Sequence, residues 1–322
     1  MTILLTGGAG FIGSNLAKQL LEEGHQVICL DNLDSYYAPD IKWKNVQQTL
    51  SSPAYHFHQG DIRDSELVDT LFQTYAFDAV IHLAARAGVR PSVQDPALYY
   101  DVNVNGTLTL LQAMQRFGVT KMVFASSSSV YGDSPHVPFS ETDPADRPLS
   151  PYAASKRAAE LLCHTFHNLY GFDIFCLRFF TVYGPLQRPE MAISQFTESI
   201  LNEKAINVFG DGSTARDYTY VDDIVSGIIQ SLKNLKGYEV LNIGGSDPIS
   251  LANLIRVIEQ AVGKTALINR LPMQPGDVQQ TYADIRKAAQ LIDYHPSVRV
   301  EDGIQRFVDW FRTRQDADLV MK

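Results

Sequence analysis

The chain has 322 residues, 45% hydrophobic and 20% charged, which is ordinary globular composition and enough length for one large domain or two. Its net charge of −9 offers no electrostatic reason to expect nucleic acid, although a locally basic pocket could still take a small anion. No apolar run is long enough for a membrane span, the strand-like pattern starting at Ile3 leaves no room for a signal peptide, and Cys29, Cys163 and Cys176 lack metal spacing, so a reduced, cytoplasmic, metal-free protein is expected.

Short buried strands are expected at residues 3–5, 27–30, 55–57, 79–83, 122–125 and 174–177, with amphipathic helices at 11–23, 65–75, 98–117 and 152–170 between them. The first strand runs into Thr6-Gly7-Gly8-Ala9-Gly10-Phe11-Ile12-Gly13, in which Gly7, Gly10 and Gly13 are spaced by three. A glycine turn between a strand and a helix brings backbone close to a pyrophosphate at the helix N-terminus. Asp31 closes the second strand 18 residues past Gly13. A carboxylate there accepts bonds from an adenosine ribose diol and repels a 2′-phosphate, which favours NAD over NADP. Asp61-Ile62, after the third strand, is read either as an adenine contact or as a helix cap.

The fifth strand ends in Phe124-Ala125-Ser126-Ser127-Ser128-Ser129-Val130-Tyr131-Gly132, and the serines are read either as a polar turn or as part of a site. The following helix carries Tyr152 and Lys156 at i and i+4, on one face. A phenol ordinarily titrates near ~10. A neighbouring ammonium and a cationic nicotinamide would lower that value and let Tyr152 take a proton from a hydroxyl.

The alternation implies an α/β fold: a doubly wound parallel (Rossmann) sheet with a smaller C-terminal α/β substrate domain. Residues 1–180 form the cofactor domain, to which a segment at about 215–245 returns, and residues 181–322 form the substrate domain, with helical segments at 192–202, 221–232, 251–262 and 300–313.

Residues 6–13, Asp31, the serine segment and the Tyr152–Lys156 spacing together resemble the extended short-chain dehydrogenase/reductases, over essentially the whole chain. Arg178-Phe179-Phe180-Thr181-Val182-Tyr183-Gly184-Pro185 and Arg216-Asp217-Tyr218-Thr219-Tyr220-Val221-Asp222-Asp223 are similar to the nucleotide-sugar branch of that family. The resemblance implies Tyr152, Lys156 and Ser127 as catalytic residues, Ser127 bonding the reacting hydroxyl and Lys156 also holding the nicotinamide ribose. It implies NAD contacts from Gly7, Gly10, Phe11, Ile12, Gly13, Asp31, Asn32, Asp61, Ile62, Leu83, Ala84, Ala85, Tyr152 and Lys156. Arg216 resembles the family's diphosphate-binding arginine, with a surface salt bridge as the other reading.

Family members that remove water from the sugar carry Asp-Glu where Ser128 and Ser129 stand, and those that decarboxylate UDP-glucuronate carry Glu at the second place. Hydroxyls are poor general acids or bases near neutral pH, which leaves oxidation and return of the hydride at C4. Residues 82–92, 184–192 and 271–278 are similar to UDP-glucuronate 4-epimerases. UDP-galactose epimerases carry arginine at the place of Gln274 and asparagine at that of Thr181. The expected substrate contacts are Ser127, Ser128, Ser129, Thr181, Arg188, Arg90, Arg216 and Asp277. Arg188 is the candidate for the C6 carboxylate with Thr181 as an added donor; Arg90 either assists or bonds loop carbonyls. A 4-epimerase of UDP-glucose/galactose or UDP-xylose/arabinose is the alternative within enzymes. A silent NAD-sensing protein is opposed by the intact Ser127, Tyr152 and Lys156, and a one-way NADPH reductase by Asp31. The family usually forms homodimers by pairing two long helices, here 98–117 and 152–170. A UDP-sugar is thus the expected partner, with no nucleic acid and no membrane.

Overall fold

The computed structural model describes residues 1–273 and 278–320, so Gln274 and Asp277 lie outside the described residues. In chain order the strands are β1 (Thr2–Thr6), β2 (Gln26–Asp31), β3 (Tyr55–Gln59), β4 (Ala79–His82), β5 (Lys121–Ser127), β6 (Asp173–Phe179), β7 (Thr181–Tyr183), β8 (Ala205–Phe209), β9 (Ala215–Tyr220), β10 (Tyr238–Ile243), β11 (Pro248–Ser250) and β12 (Leu267–Leu271). Seven of them form one sheet in the order β10-β6-β5-β4-β1-β2-β3. Every pairing in it is parallel.

Alternate residues of β1 show why the strands read as unbroken apolar runs. Ile3 and Leu5 enter one core, Leu4 the other, and all three are fully buried. Helices cover both faces, so neither side of the sheet meets water. The strand order reverses between β1 and β4, which opens a crevice at the carboxyl ends of the strands.

The second half alternates between the two parts of the molecule. A small sheet, β11-β9-β7, and a parallel pair, β12-β8, build the outer lobe. The chain then passes from β9 through the helix Val221–Lys233 into β10, the edge strand of the large sheet. Two aspartates fix this weave. Buried Asp217 accepts from the backbone N–H groups of Gly245 (2.7 Å), Ser246 (3.0 Å) and Ala283 (2.9 Å). Asp223 accepts from those of Ser297 (2.9 Å) and Val298 (3.1 Å).

The helix expected at 98–117 starts earlier and is not regular. Pro96 stands at its first turn, and a π-turn, Asp101–Asn105, interrupts it before Gly106–Phe117. The extra residue sets buried Asn103 against two segments at once. Its Oδ1 accepts from the Arg86 N–H (2.7 Å), and its Nδ2 donates to the Arg86 carbonyl (3.0 Å) and to Ser155 Oγ (2.9 Å). Such π-turns often mark functional regions, and this one joins the loop after β4 to the helix that carries Tyr152.

Candidate active site

The crevice is a cavity of about 670 Å³. Its wall holds every site residue expected from the sequence that falls among the described residues. The glycines of the first turn serve different ends. Gly7 has φ +73°, and a side chain there would come within 2.6 Å of the Ala84 N–H nitrogen. A side chain at Gly13 would collide with the Gly7 carbonyl. These two are therefore demanded by packing of turn, helix and the β4 loop. Gly10 faces the cavity with a single neighbour, the Gly7 carbonyl at 3.2 Å, and is the position that leaves room for a ligand.

The helix Phe11–Glu22 has no side-chain cap, so its first N–H groups lie open to the cavity. Deeper in the crevice, Asp31 accepts from the N–H of Ala9 (3.0 Å) and of Leu33 (2.9 Å). Burial raises the Asp31 pKa, against these bonds and the charge of Lys42. The Tyr37 hydroxyl is buried and has no partner among the described residues. An uncapped helix start, a buried carboxylate and an orphaned phenol at one cavity wall fit a dinucleotide's pyrophosphate and ribose.

Asp61 is not a helix cap. The helix Ser65–Thr74 is capped by Asp64, whose side chain accepts from Leu67 N–H at 3.1 Å. Asp61 instead accepts from Arg63 Nε (2.9 Å) and from Asn32 Nδ2 (2.9 Å), and the Arg63 guanidinium holds its pKa down at about 2.

Tyr152 sits at the start of the helix Pro151–Tyr170, behind Pro151 and the cap Ser150, whose side chain accepts from Ala153 N–H. Its ring meets the edge of Tyr99 at 6.2 Å, and Tyr99 is itself anchored by a 2.7 Å bond to the Ala87 carbonyl. In the chain alone the phenol is held above its ordinary value. Burial opposes the phenolate more strongly than a hydrogen bond from Ser127 and the charge of Arg188 favour it. Lys156 is buried and donates from Nζ to the Ala125 carbonyl at 2.8 Å; burial lowers its pKa to about 8.

The four serines divide by geometry. Ser126 is a strand residue whose hydroxyl donates to buried Glu160 at 2.6 Å, and Glu160 is held by Arg178 through two 2.9 Å bonds. Ser127 ends β5, and its Oγ accepts from both the N–H (3.2 Å) and the Oγ (2.9 Å) of Ser129. Ser128 starts the short 3-10 turn Ser128–Tyr131 and lines the cavity.

On the far wall, Thr181 opens β7. The Arg188 guanidinium lies 3.3 Å from Glu190 and 5.5 Å from the Tyr36 ring centre. Arg216 donates to its neighbouring Ala215 carbonyl at 2.8 Å and forms no salt bridge among the described residues. Arg90 stacks over Phe209 at 5.5 Å, linking the loop after β4 to the outer lobe. Tyr36, Tyr37, Lys42, Arg86, Tyr99 and Asn103 shape the site as well and were not foreseen. Tyr36 and Tyr37 follow Asp31 in an irregular segment, Lys42 lies on the short helix Pro39–Val46, and no periodicity or spacing singles them out.

A parallel doubly wound sheet, an open glycine turn and a Ser127–Tyr152–Lys156 group define an extended short-chain dehydrogenase/reductase of the nucleotide-sugar branch. The chain belongs to the family described as GDP-mannose 4,6 dehydratase, whose model matches residues 4–307. It is 47% identical to a UDP-glucuronate 4-epimerase of Thermodesulfobacterium geofontis, over 98% of this chain and 97% of that relative. Among solved structures it resembles the UDP-glucuronic acid 4-epimerase of Bacillus cereus bound to UDP-glucuronic acid and NAD (38% identity, TM-score 0.92, 98% of this chain and 100% of that one). It also resembles a UDP-glucose 4-epimerase of Thermotoga maritima bound to UDP-glucose (34% identity, TM-score 0.91, 98% and 100%).

Proposed function

We propose that this chain is an NAD-dependent isomerase that converts UDP-glucuronate to UDP-galacturonate by inverting C4 through a transient 4-keto sugar. One observation carries the choice of reaction and sugar. Arg188 lies near enough to Tyr152 to pull on its titration, in a cavity where hydroxyls, not carboxyls, stand at Ser128 and Ser129. The family model takes its description from a dehydratase, but the Asp-Glu pair that resemblance associates with dehydration is absent here.

Bound NAD supplies the hydride acceptor and the returning hydride. The open N–H groups at Phe11 and Ile12, with Gly7, Gly10 and Gly13, would hold its pyrophosphate. Asp31 and Asn32 would take the adenosine ribose, Asp61 and Ile62 the adenine side, and Leu83, Ala84, Ala85 and Lys156 the nicotinamide half. Tyr152 removes the C4 hydroxyl proton and returns it after the sugar has turned over. Ser127 donates to the C4 oxygen, because its own oxygen is already satisfied by Ser129. The Arg188 charge favours the phenolate that this exchange needs.

The 4-keto uronate is a β-keto acid and sheds CO2 when its C5–C6 bond stands perpendicular to the ketone. Arg188, with Thr181, would grip the carboxylate and keep that bond near the ketone plane. Arg216 is assigned to the diphosphate, Ser128, Ser129 and Arg90 to the sugar and its surroundings, and Asp277 to the substrate without a particular group. The structural match to the Thermotoga enzyme supports a second reading, a 4-epimerase of a neutral UDP-sugar.

We read the enzyme as a cytoplasmic homodimer. Three free, buried cysteines support a reducing compartment. No helix among the described residues is long and apolar enough to cross a membrane. Exposed Leu161, Leu169 and Tyr170 on Pro151–Tyr170, with Phe117 on Gly106–Phe117, support pairing of these helices across a dimer. The reaction is tested by NMR of the purified protein with UDP-glucuronate and no added cofactor. Appearance of the galacto epimer confirms substrate, reaction and tightly held NAD; an unchanged spectrum, with added NAD as well, refutes the reading.

A further inference from the structure

Arg188 is held by two groups of different character. The first is Tyr36, on the irregular segment after β2. Its ring is in contact with two guanidinium groups, with Arg86 at 5.0 Å and Arg188 at 5.5 Å. The Arg188 charge also favours the Tyr36 phenolate, against its burial. Arg86 is fixed in turn by an ion pair with Asp34 and by the two backbone bonds to Asn103. Tyr36 therefore rests on a braced support. The second is Glu190, two residues along the chain from Arg188. Among the described residues it is the one carboxylate within ion-pair distance of Arg188, at 3.3 Å.

That contact is long for a charge-assisted bond, which usually spans ~2.7–2.9 Å. Both partners are partly exposed, at 21% and 37%. Such a pair is weak and gives way easily.

Resting on the reading of the substrate as a uronate, we propose that Glu190 is a displaceable stand-in for the substrate's C6 carboxylate and that Tyr36 is the fixed platform that positions Arg188 to accept it. Recognition of the acid sugar is then an exchange of anions. The substrate carboxylate takes a two-point grip on Arg188 and releases Glu190 toward solvent. A neutral hexose offers no anion, so Arg188 stays with Glu190 and contributes nothing to its binding. Selectivity equals the new ion pair less the old one, and Glu190 limits it. Both residues act through Arg188 and are positioning residues.

The test compares steady-state kinetics and calorimetric binding of UDP-glucuronate and UDP-glucose by the NAD-loaded enzyme and three variants. Glu190→Gln should lower KM and Kd for UDP-glucuronate by about threefold, in line with loss of a weak competing ion pair, with kcat and UDP-glucose binding unchanged. Tyr36→Leu should raise KM for UDP-glucuronate by about tenfold, and Tyr36→Phe, which keeps the ring, should recover most of that loss. A Glu190→Gln variant that binds UDP-glucuronate more weakly or unchanged, or that shifts both sugars alike, overturns the exchange. Equal losses for both sugars in Tyr36→Leu overturn the platform. The two readings fail separately: a wild-type enzyme that neither binds nor turns over UDP-glucuronate removes the substrate, whereas one that epimerises it with unresponsive variants removes only the exchange.

Discussion

Ser129 Oγ donates to Ser127 Oγ over 2.9 Å, and the Ser129 N–H reaches the same oxygen at 3.2 Å. With its oxygen engaged by two donors, the Ser127 hydroxyl is left to act as a donor beside Tyr152, where it favours the phenolate. Ser129 thus does more than stand in place of an acid. In the proposed mechanism it orients the hydroxyl that meets the reacting oxygen. Ser129→Ala should lower kcat about fivefold, the worth of one hydrogen bond, while KM moves little. Ser127→Ala should cost about a hundredfold. Parallel kcat and KM measurements on the two variants check the ranking.

Tyr152→Phe removes the proton carrier but keeps the ring that packs on Tyr99. kcat should fall by about a thousandfold, within the usual range for loss of a general acid–base group. Bound NAD, read from absorbance of the purified variant, should remain at the wild-type ratio. Undiminished 4-epimerisation would remove Tyr152 from the mechanism.

Arg188→Ala should change what leaves the enzyme as well as how fast. Under the proposed grip, removing the guanidinium frees the C5–C6 bond of the 4-keto intermediate to swing out of the ketone plane, by ring flexing about C4–C5, and lose CO2. The expected outcome is a higher ratio of CO2 and UDP-pentose to epimer, measured by NMR and trapped CO2. An unchanged product ratio at measurable turnover counts against the grip.

Lys156 links pH to stability in a direction opposite to a paired surface lysine. Its pKa is about 8 in the folded chain, lowered by burial, against ~10.4 unfolded. Between these values the unfolded chain binds more protons, so this group makes stability rise with pH. Below about pH 8 the cost of burying the ammonium is fully present, at about 3 kcal/mol. Lys156→Met should therefore be more stable than wild type at pH 7, in protein stripped of NAD, and the gap should close toward pH 10. Denaturant unfolding at the two pH values measures it.

The large sheet was readable because its strands are buried on both faces, so β1, β2, β4 and β5 appear as continuous apolar runs between helices. β10 was not recognised as a strand, because it is an edge whose first three residues, Tyr238, Glu239 and Val240, are only half-buried. The Gly7–Gly13 turn, Asp31 and the Tyr152–Lys156 spacing stood out because their chemistry is tied to fixed offsets along one strand or helix. Tyr36, Arg86 and Asn103 have no such offset; they meet only after β2, β4 and the π-turn are brought side by side. The burial around Tyr152 is of the same kind. Charge neighbours can be guessed from spacing, whereas the burial that outweighs them comes from packing.

The place of β10 has a consequence for how the protein is made. The strand that completes the large sheet, pairing with β6 from Tyr238 to Ile243, is synthesised only after β7, β8 and β9 of the outer lobe. A ribosome-bound chain ending near residue 180 exposes the edge of β6 and cannot finish its nucleotide-binding half. The two parts of the molecule must therefore mature together, and a gene fragment encoding the first 180 residues should yield an aggregation-prone chain with an unpaired strand edge.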